Sequence, residues 1–116
     1  MPYINSKDVE SVEIEPDVFV RIMVDRSKGS RGIALVRGLM RPGGHLSPHT
    51  HDVEEALTVL QGTALSRIGD EAFNLEPGDA VLLPANVTHE LTNTGDGDLV
   101  FVTAFNDNKV ARLPPA

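Results

Sequence analysis

Two histidines separated by a single residue are the side chains in this sequence best suited to chemistry. On an extended backbone, His49 and His51 would point to the same face, because alternate side chains share a side. The same alternation continues to Glu55 and then to aliphatic residues, whereas the intervening positions are mostly polar. The odd-numbered face is therefore predicted to be interior, which selects Glu55 over Glu54 as the inward carboxylate.

A third histidine follows the same rule in a later segment. Across residues 87–93 the odd positions hold His89 with apolar and amide side chains, so His89 is also predicted to point inward. Three imidazoles and a carboxylate are costly to bury unless something compensates them. A divalent transition metal (Fe, Mn, Co, Ni, Cu or Zn) would do so through imidazole nitrogens and a carboxylate oxygen. The alternative is an internal hydrogen-bonded network of the same side chains.

Two spaced patterns make the chain resemble a known family. The first is Gly43-x5-His49-x-His51-x3-Glu55-x6-Gly62, which matches the first cupin motif at every specified position. The second is Gly78-x5-Pro84-x-Asn86-x2-His89-x3-Asn93. It matches the second cupin motif, except that Asn86 stands where the family usually has glycine. With 15 residues between the two motifs, the chain resembles a small single-domain cupin of the conserved-barrel type.

The resemblance implies a fold and a metal centre. The fold would be all-β, a double-stranded β-helix (jelly-roll) barrel of short antiparallel strands. One divalent transition metal per chain would be bound by His49, His51, Glu55 and His89. Glu55 could also dissociate from the metal and act as a catalytic base. Four protein ligands would leave positions on a six-coordinate metal for water, dioxygen or a bidentate substrate.

Three classes of function remain open at this point. The first, which we favour, is a small metal-dependent enzyme that acts on a small oxygen-bearing molecule by dioxygenase-, isomerase- or lyase-type chemistry. The second is a non-catalytic module that holds a metal or a small ligand in the barrel. The third is a storage or assembly role, against which the intact ligand set argues. No second catalytic group is evident, since the chain has no cysteine and its single tyrosine is Tyr3.

The elements that must position these residues are short strands. Turn clusters rich in Pro and Gly, at residues 41–44 and 76–79, separate runs of β-branched and aliphatic residues. No long amphipathic helix is predicted, and about eight short strands favour an antiparallel sandwich or barrel. A hairpin is predicted at Gly69-Asp70, and residues 1–10 and 106–116 are predicted to be less ordered arms. The predicted strands are residues 11–25, 33–40, 54–60, 63–68, 71–75, 80–83, 87–92 and 99–105.

Length and charge restrict the remaining possibilities. The length of 116 residues predicts one domain, residues 1–116, with a barrel core at about 11–106. The net charge is −7. An acidic surface disfavours nucleic acid and anionic membranes as partners. No apolar run exceeds four residues, which argues against a transmembrane helix, and the N-terminal residues lack the pattern of a signal peptide. A cytoplasmic protein is therefore expected.

Several other residues carry weaker predictions. His45 is expected to be a solvated loop residue, with a rim or supporting role as the alternative. Arg37 is expected to point outward rather than to clamp a carboxylate. Phe101, Thr103 and Phe105 share one strand face and are expected to pack in the core, with a position lining the cavity as the alternative. The shape of that cavity is expected to depend on Met40, Leu57, Val59, Leu91 and Phe101.

A second copy of the chain is also expected as a partner. Small cupins resemble one another in forming dimers through a barrel edge, often with an exchanged N-terminal strand. The alternating acidic segment at residues 9–15 could provide that strand. Because an open sheet edge otherwise needs protection, we expect a homodimer.

Overall fold

Short antiparallel strands make up most of the regular secondary structure in a computed structural model that describes residues 2–116. Two single-turn 3-10 helices, Ser6–Asp8 and Arg26–Lys28, lie outside the strands. No helix within residues 2–116 is long and apolar enough to cross a membrane. The strands described are β1 (Val12–Glu15), β2 (Val18–Val24), β3 (Ala34–Met40), β4 (His45–His49), β5 (Glu55–Gln61), β6 (Ala64–Ile68), β7 (Glu71–Leu75), β8 (Ala80–Leu83), β9 (His89–Asn93) and β10 (Leu99–Phe105).

The strands form two sheets that share one core. One sheet has the order β1-β2-β3-β10-β5-β8 and the other has the order β4-β9-β6-β7. Both sheets alternate buried and exposed side chains, as β5 and β9 show, because each has one face inside and one outside. The prediction of an all-β jelly-roll is confirmed. The buried apolar cluster between the sheets contains Val18, Met40, Leu57, Val59, Ala64, Leu75, Leu83, Leu91, Leu99 and Phe101.

Two strand predictions need correction. The run at residues 11–25 is not one strand but the β1–β2 hairpin, since Pro16 cannot continue the ladder and Asp17 turns the chain with a φ of 64°. Strand β4 was not predicted, because its sequence is polar and contains Pro48. The hairpin at Gly69-Asp70 is confirmed between β6 and β7.

The prediction of a loosely ordered segment after β10 is wrong. Residues 106–116 run back across the molecule and are held by backbone hydrogen bonds. The Thr50 N–H donates to the Leu113 oxygen at 3.0 Å, and the Leu113 N–H donates to the Thr50 oxygen at 2.8 Å. These two hydrogen bonds form an antiparallel bridge. The segment carries few apolar residues, so its order comes from hydrogen bonding that its composition does not reveal. Of the predicted N-terminal arm, residue 1 lies outside the described residues, while Val9 is buried.

The motif residues without ligand chemistry shape the turns. Pro84 directly follows β8, and Asn86 has a φ of 64°, the left-handed conformation that asparagine tolerates better than most residues. This explains how asparagine can stand at a position where the family usually has glycine. Gly62 has a φ of 83° and lies against the backbone of Asp98. Glycine suits this position because it tolerates a positive φ and has no Cβ to contact that backbone.

A pair of glycine substitutions tests this account of the turns. Gly62→Ala would place a Cβ 2.7 Å from the Asp98 carbonyl oxygen, whereas a Cβ at Gly43, which has a φ of 82°, would meet nothing within 4 Å. Left-handed strain costs each variant about 1–2 kcal/mol. Overpacking adds about 1–3 kcal/mol at Gly62 alone. Urea unfolding should therefore show a clearly larger loss for Gly62→Ala, and equal losses would contradict the crowding at Gly62.

Candidate metal centre

Three segments bring the predicted ligands together between the two sheets. His49 ends β4 and His89 begins β9, and the two residues are paired directly across these neighbouring strands. Glu55 begins β5 in the other sheet, and His51 lies in the connection from β4 to β5. The alternation inferred from the sequence persists through this connection, although it is not regular strand. Glu55 is accordingly buried and Glu54 is exposed.

The four side chains converge tightly. One ligand atom from each of His49, His51 and His89 lies within 4.8 Å of the others, so the three imidazoles could hold a metal ion. Glu55 Oε1 lies 3.5 Å from His51 Nε2 and 3.4 Å from His89 Nε2. Each of the four residues is only 4% to 6% exposed. The structure therefore brings together all four residues that were proposed as ligands.

Backbone carbonyls fix the orientation of all three imidazoles. His49 Nδ1 lies 2.7 Å from the Ser47 oxygen, His89 Nδ1 lies 3.1 Å from the Val87 oxygen, and His51 Nδ1 bonds the Ala111 oxygen. Because a carbonyl only accepts hydrogen bonds, each Nδ1 must carry the proton. When the ring is neutral, each Nε2 is then left with a free lone pair, the form in which histidine binds a metal.

Two buried atoms at the centre have no hydrogen-bond partner within residues 2–116. They are Glu55 Oε1 and His89 Nε2. Buried polar atoms are nearly always paired, and here a carboxylate oxygen faces imidazole lone pairs that cannot donate to it. A cation among these atoms would remove the mismatch. The donor set, of nitrogen and carboxylate oxygen, fits a divalent transition metal.

Burial favours the neutral form of two of the three imidazoles, His49 and His51. Burial, and after it the charges of the other two imidazoles, lower the pKa of His49 to about 4 in spite of the opposing hydrogen bond to Ser47. Burial also lowers the pKa of His51, although the Glu55 carboxylate acts in the opposite direction. Both residues are therefore neutral near pH 7 and available as ligands without first losing a proton.

A cavity of about 230 Å³ opens beside the cluster. Its walls are mainly aliphatic and aromatic, and they include Phe101, Thr103 and Phe105 from β10. The Phe105 ring packs edge-on against His51, with centroids 4.9 Å apart. The Phe101 ring lies over Gly38 on the neighbouring strand, where a Cβ would come within 2.1 Å of it. The absence of a side chain at Gly38 therefore allows Phe101 to line the cavity.

The family assignment comes from comparison with known proteins. A family model described as Cupin domain matches residues 36–105, which include all four clustered residues. The chain belongs to the cupin domain family. No substrate follows from this, because one fold can host many unrelated functions.

Relatives of this cupin include proteins with different named activities. It is 29% identical over 98 residues to the polyketide synthase CurC of Streptomyces cyaneus, an alignment that covers 76% of this chain and 61% of CurC. An oxalate decarboxylase from Bacillus subtilis has 27% identity and a TM-score of 0.84, covering 94% of this chain and 30% of the decarboxylase. The polyketide cyclase RemF from Streptomyces resistomycificus shares the fold, with a TM-score of 0.79, 19% identity and coverage of 96% and 87%. The cupin spans less than two thirds of the curated relatives that it matches.

The structure also settles the secondary predictions for this cupin. Arg37 is exposed on β3, as expected. His45 is exposed, but it lies on β4 rather than in a loop, and its Nε2 is 2.9 Å from Glu90 Oε2. Leu57, Leu91 and Phe101 line the cavity, as predicted. Met40 and Val59 do not line it, because they are completely enclosed in the core.

Sequence reasoning missed the cavity residues contributed by the segment after β10. Val110 and Arg112 both line the cavity. Arg112 Nη1 forms an ion pair with Glu15 Oε2, at 2.7 Å. The sequence carries no periodic signal there, since the segment crosses the cavity as irregular backbone rather than as a strand with alternating burial.

The lowered pKa of His49 makes the metal-free cupin less stable in acid. Between an ordinary value of 6.5 and the folded value of about 4, the unfolded chain binds a proton that the folded chain does not. The free energy of unfolding should therefore fall by about 1–2 kcal/mol as the pH drops from 7 to 5. Denaturant titrations of chelator-treated protein measure this loss. The His49→Gln variant should show a smaller loss, and an equal loss in both proteins would contradict the assignment to His49.

Proposed function

We propose that this cupin binds one divalent transition metal through His49, His51, Glu55 and His89, and that it is an enzyme for a small oxygen-bearing molecule. The observation that carries the proposal is the pair of buried, unpartnered atoms on Glu55 and His89. A network of hydrogen bonds alone would leave these atoms paired. The comparisons support the proposal through relatives named as a decarboxylase and a polyketide synthase.

The roles of the residues follow from their positions. A metal bound there would supply a Lewis acid that polarises an oxygen-bearing substrate. The apolar cavity walls would bind the body of the substrate and exclude water from the reacting end. Glu55 is proposed as the base because the other cavity carboxylate, Glu90, is already bonded to His45 and lies near Arg67. After release from the metal, Glu55 Oε1, which has no hydrogen-bond partner in the protein, could accept a proton.

The cavity favours a particular kind of substrate. A volume of about 230 Å³ with mostly aliphatic walls suits a compact molecule that has an apolar body and oxygen donors at one end. Diketones, enols and catechols have that form. Within this class we propose dioxygenase-type chemistry first, with isomerase- or lyase-type chemistry as the alternatives.

An activity screen tests the enzymatic part of the proposal. Protein loaded separately with Fe, Mn, Co, Ni, Cu or Zn would be mixed with diketones and catechols while oxygen uptake and ultraviolet absorbance are recorded. We expect turnover with at least one metal and none with the matched His89→Ala protein. If the loaded protein binds these molecules without converting them, it is a non-catalytic binding module instead.

We also propose that the cupin forms a homodimer through the edge of its larger sheet. Among the strands within residues 2–116, β1 is an edge strand whose one neighbour is β2, and Val12 on it is 44% exposed. Pairing with a second copy would cover this edge. Sedimentation at micromolar concentration should give twice the chain mass of 12.5 kDa, and a species of 12.5 kDa would contradict the dimer.

A further inference from the structure

The three histidines differ in where their orienting partners come from. His49 and His89 are each held by the carbonyl of the residue two positions earlier, Ser47 and Val87, so their orientation is set within their own segments. His51 instead bonds the carbonyl of Ala111, which is 60 residues away. The orientation of His51 therefore depends on a segment that crosses the molecule after β10.

Hydrogen bonds join that segment to the residue between His49 and His51. Thr50 lies between His49 and His51. Its N–H donates to the Leu113 oxygen at 3.0 Å, and its carbonyl oxygen accepts from the Leu113 N–H at 2.8 Å. The Thr50 hydroxyl also donates to the Pro114 oxygen at 2.8 Å. These three bonds hold the Ala111 carbonyl in register with the His51 ring.

A second connection runs from the same segment to His49. Arg112 Nη1 donates a hydrogen bond to Glu15 Oε2 at 2.7 Å, and that oxygen also accepts a hydrogen bond from the Ser47 N–H at 3.0 Å. Ser47 is the residue whose carbonyl oxygen bonds His49 Nδ1. Arg112 is thus linked through two residues to another member of the cluster.

The segment also closes one side of the cavity. Val110 packs against the small apolar cluster that contains Phe105, whose ring contacts His51 edge-on. Together, Val110 and Arg112 line the cavity beside the cluster. One short stretch of chain therefore contacts both the wall of the cavity and the partners of the histidines.

We propose that residues 110–113, which we term the clamp, position the metal centre. The Ala111 carbonyl fixes the proton of His51 on Nδ1 and orients Nε2 toward the metal, while Arg112 supports His49 through Glu15 and Ser47. These are positioning roles, since no clamp atom is proposed to bind the metal. The inference rests on the proposed metal site, but it makes a separate prediction about metal affinity.

A matched pair of variants at Leu113 isolates the clamp. Leu113→Pro removes the N–H that bonds Thr50, whereas Leu113→Ala keeps both backbone bonds. Loss of a partner that orients a metal ligand typically costs about 10–100-fold in metal affinity. We expect Leu113→Pro to weaken Co(II) binding by that factor and to change the visible absorption of bound Co(II), while Leu113→Ala matches the natural chain.

The histidines provide an internal control in the Zn(II)-loaded protein. Long-range proton–nitrogen NMR spectra report which ring nitrogen carries the proton. In Leu113→Pro the Nδ1–H signal of His51 should shift or exchange with solvent faster, whereas that of His89, held within its own segment by Val87, should not change. A general loosening of the fold would affect both signals, and that result would overturn the proposal.

The remaining outcomes separate the clamp from the metal site. If the natural chain binds no Co(II), the proposed function fails. If it binds Co(II) and Leu113→Pro binds with unchanged affinity and spectrum, the clamp alone is overturned. Should Leu113→Pro fail to fold, Arg112→Gln leaves the backbone intact and decides the question. About tenfold weaker binding with an altered spectrum supports the clamp, and no change in either overturns it.

Discussion

His89→Ala is expected to lose metal binding almost completely. His89 supplies one of the three clustered imidazoles, and its Nε2 is one of the two unpartnered atoms at the centre. Because partners that merely orient a ligand are worth about 10–100-fold, removal of the ligand itself should weaken Co(II) or Zn(II) binding by more than about 100-fold. Equilibrium dialysis followed by elemental analysis would measure both the affinity and the stoichiometry.

Nearby residues provide controls of the same chemical type. His45 is exposed on β4 and lies outside the cluster, so His45→Ala should bind metal as the natural chain does. Glu54 is exposed beside the buried Glu55, so Glu55→Gln should weaken binding while Glu54→Gln should not. If His89→Ala and Glu55→Gln both bound metal normally, the ligand assignment would be wrong.

Metal binding is also expected to stabilise the fold strongly. A ligand that binds only the folded chain raises the free energy of unfolding by about 4 kcal/mol when its concentration is about 1,000 times its Kd. For a chain of this size the rise corresponds to roughly 15 °C in Tm. The physical reason is local, because a cation would compensate Glu55 Oε1 and His89 Nε2, which have no hydrogen-bond partner within residues 2–116.

Thermal unfolding with and without a chelator measures this stabilisation. The shift should appear with Zn(II) or Co(II) and disappear when the chelator is added. Mg(II) should produce little shift, since it prefers oxygen ligands and keeps its bound waters. In His89→Ala the shift with Zn(II) should be nearly absent. A full shift in that variant would show that the stabilising ion binds elsewhere.

The ligand cluster was predictable because alternation and family spacing agree. Strand parity alone distinguished buried Glu55 from exposed Glu54, and it placed His89 inside although 34 residues separate it from Glu55. Parity works for Glu55 and His89 because β5 and β9 each alternate between a face in the core and a more exposed face. Most of the strands were predictable from a different signal, the runs of β-branched and aliphatic residues between turn clusters.

The clamp and β4 were not predictable in the same way. Residues 110–113 are held by backbone bonds to Thr50 and by one ion pair to Glu15, and neither leaves a periodic pattern in the sequence. Strand β4 was hidden by its polar residues and by Pro48. The prediction that Met40 and Val59 shape the cavity was wrong. Strand parity distinguishes interior from exposed side chains, but it does not distinguish those packed in the core from those that line the cavity.

Anomalous X-ray diffraction from crystals grown with Co(II) tests the central claim most directly. Data collected on either side of the cobalt absorption edge locate the ion without any assumption about its ligands. We expect one strong anomalous peak per chain among His49, His51, Glu55 and His89, at about 2.0–2.2 Å from the coordinating atoms. No peak there, or a peak only at surface residues such as His45, would contradict it.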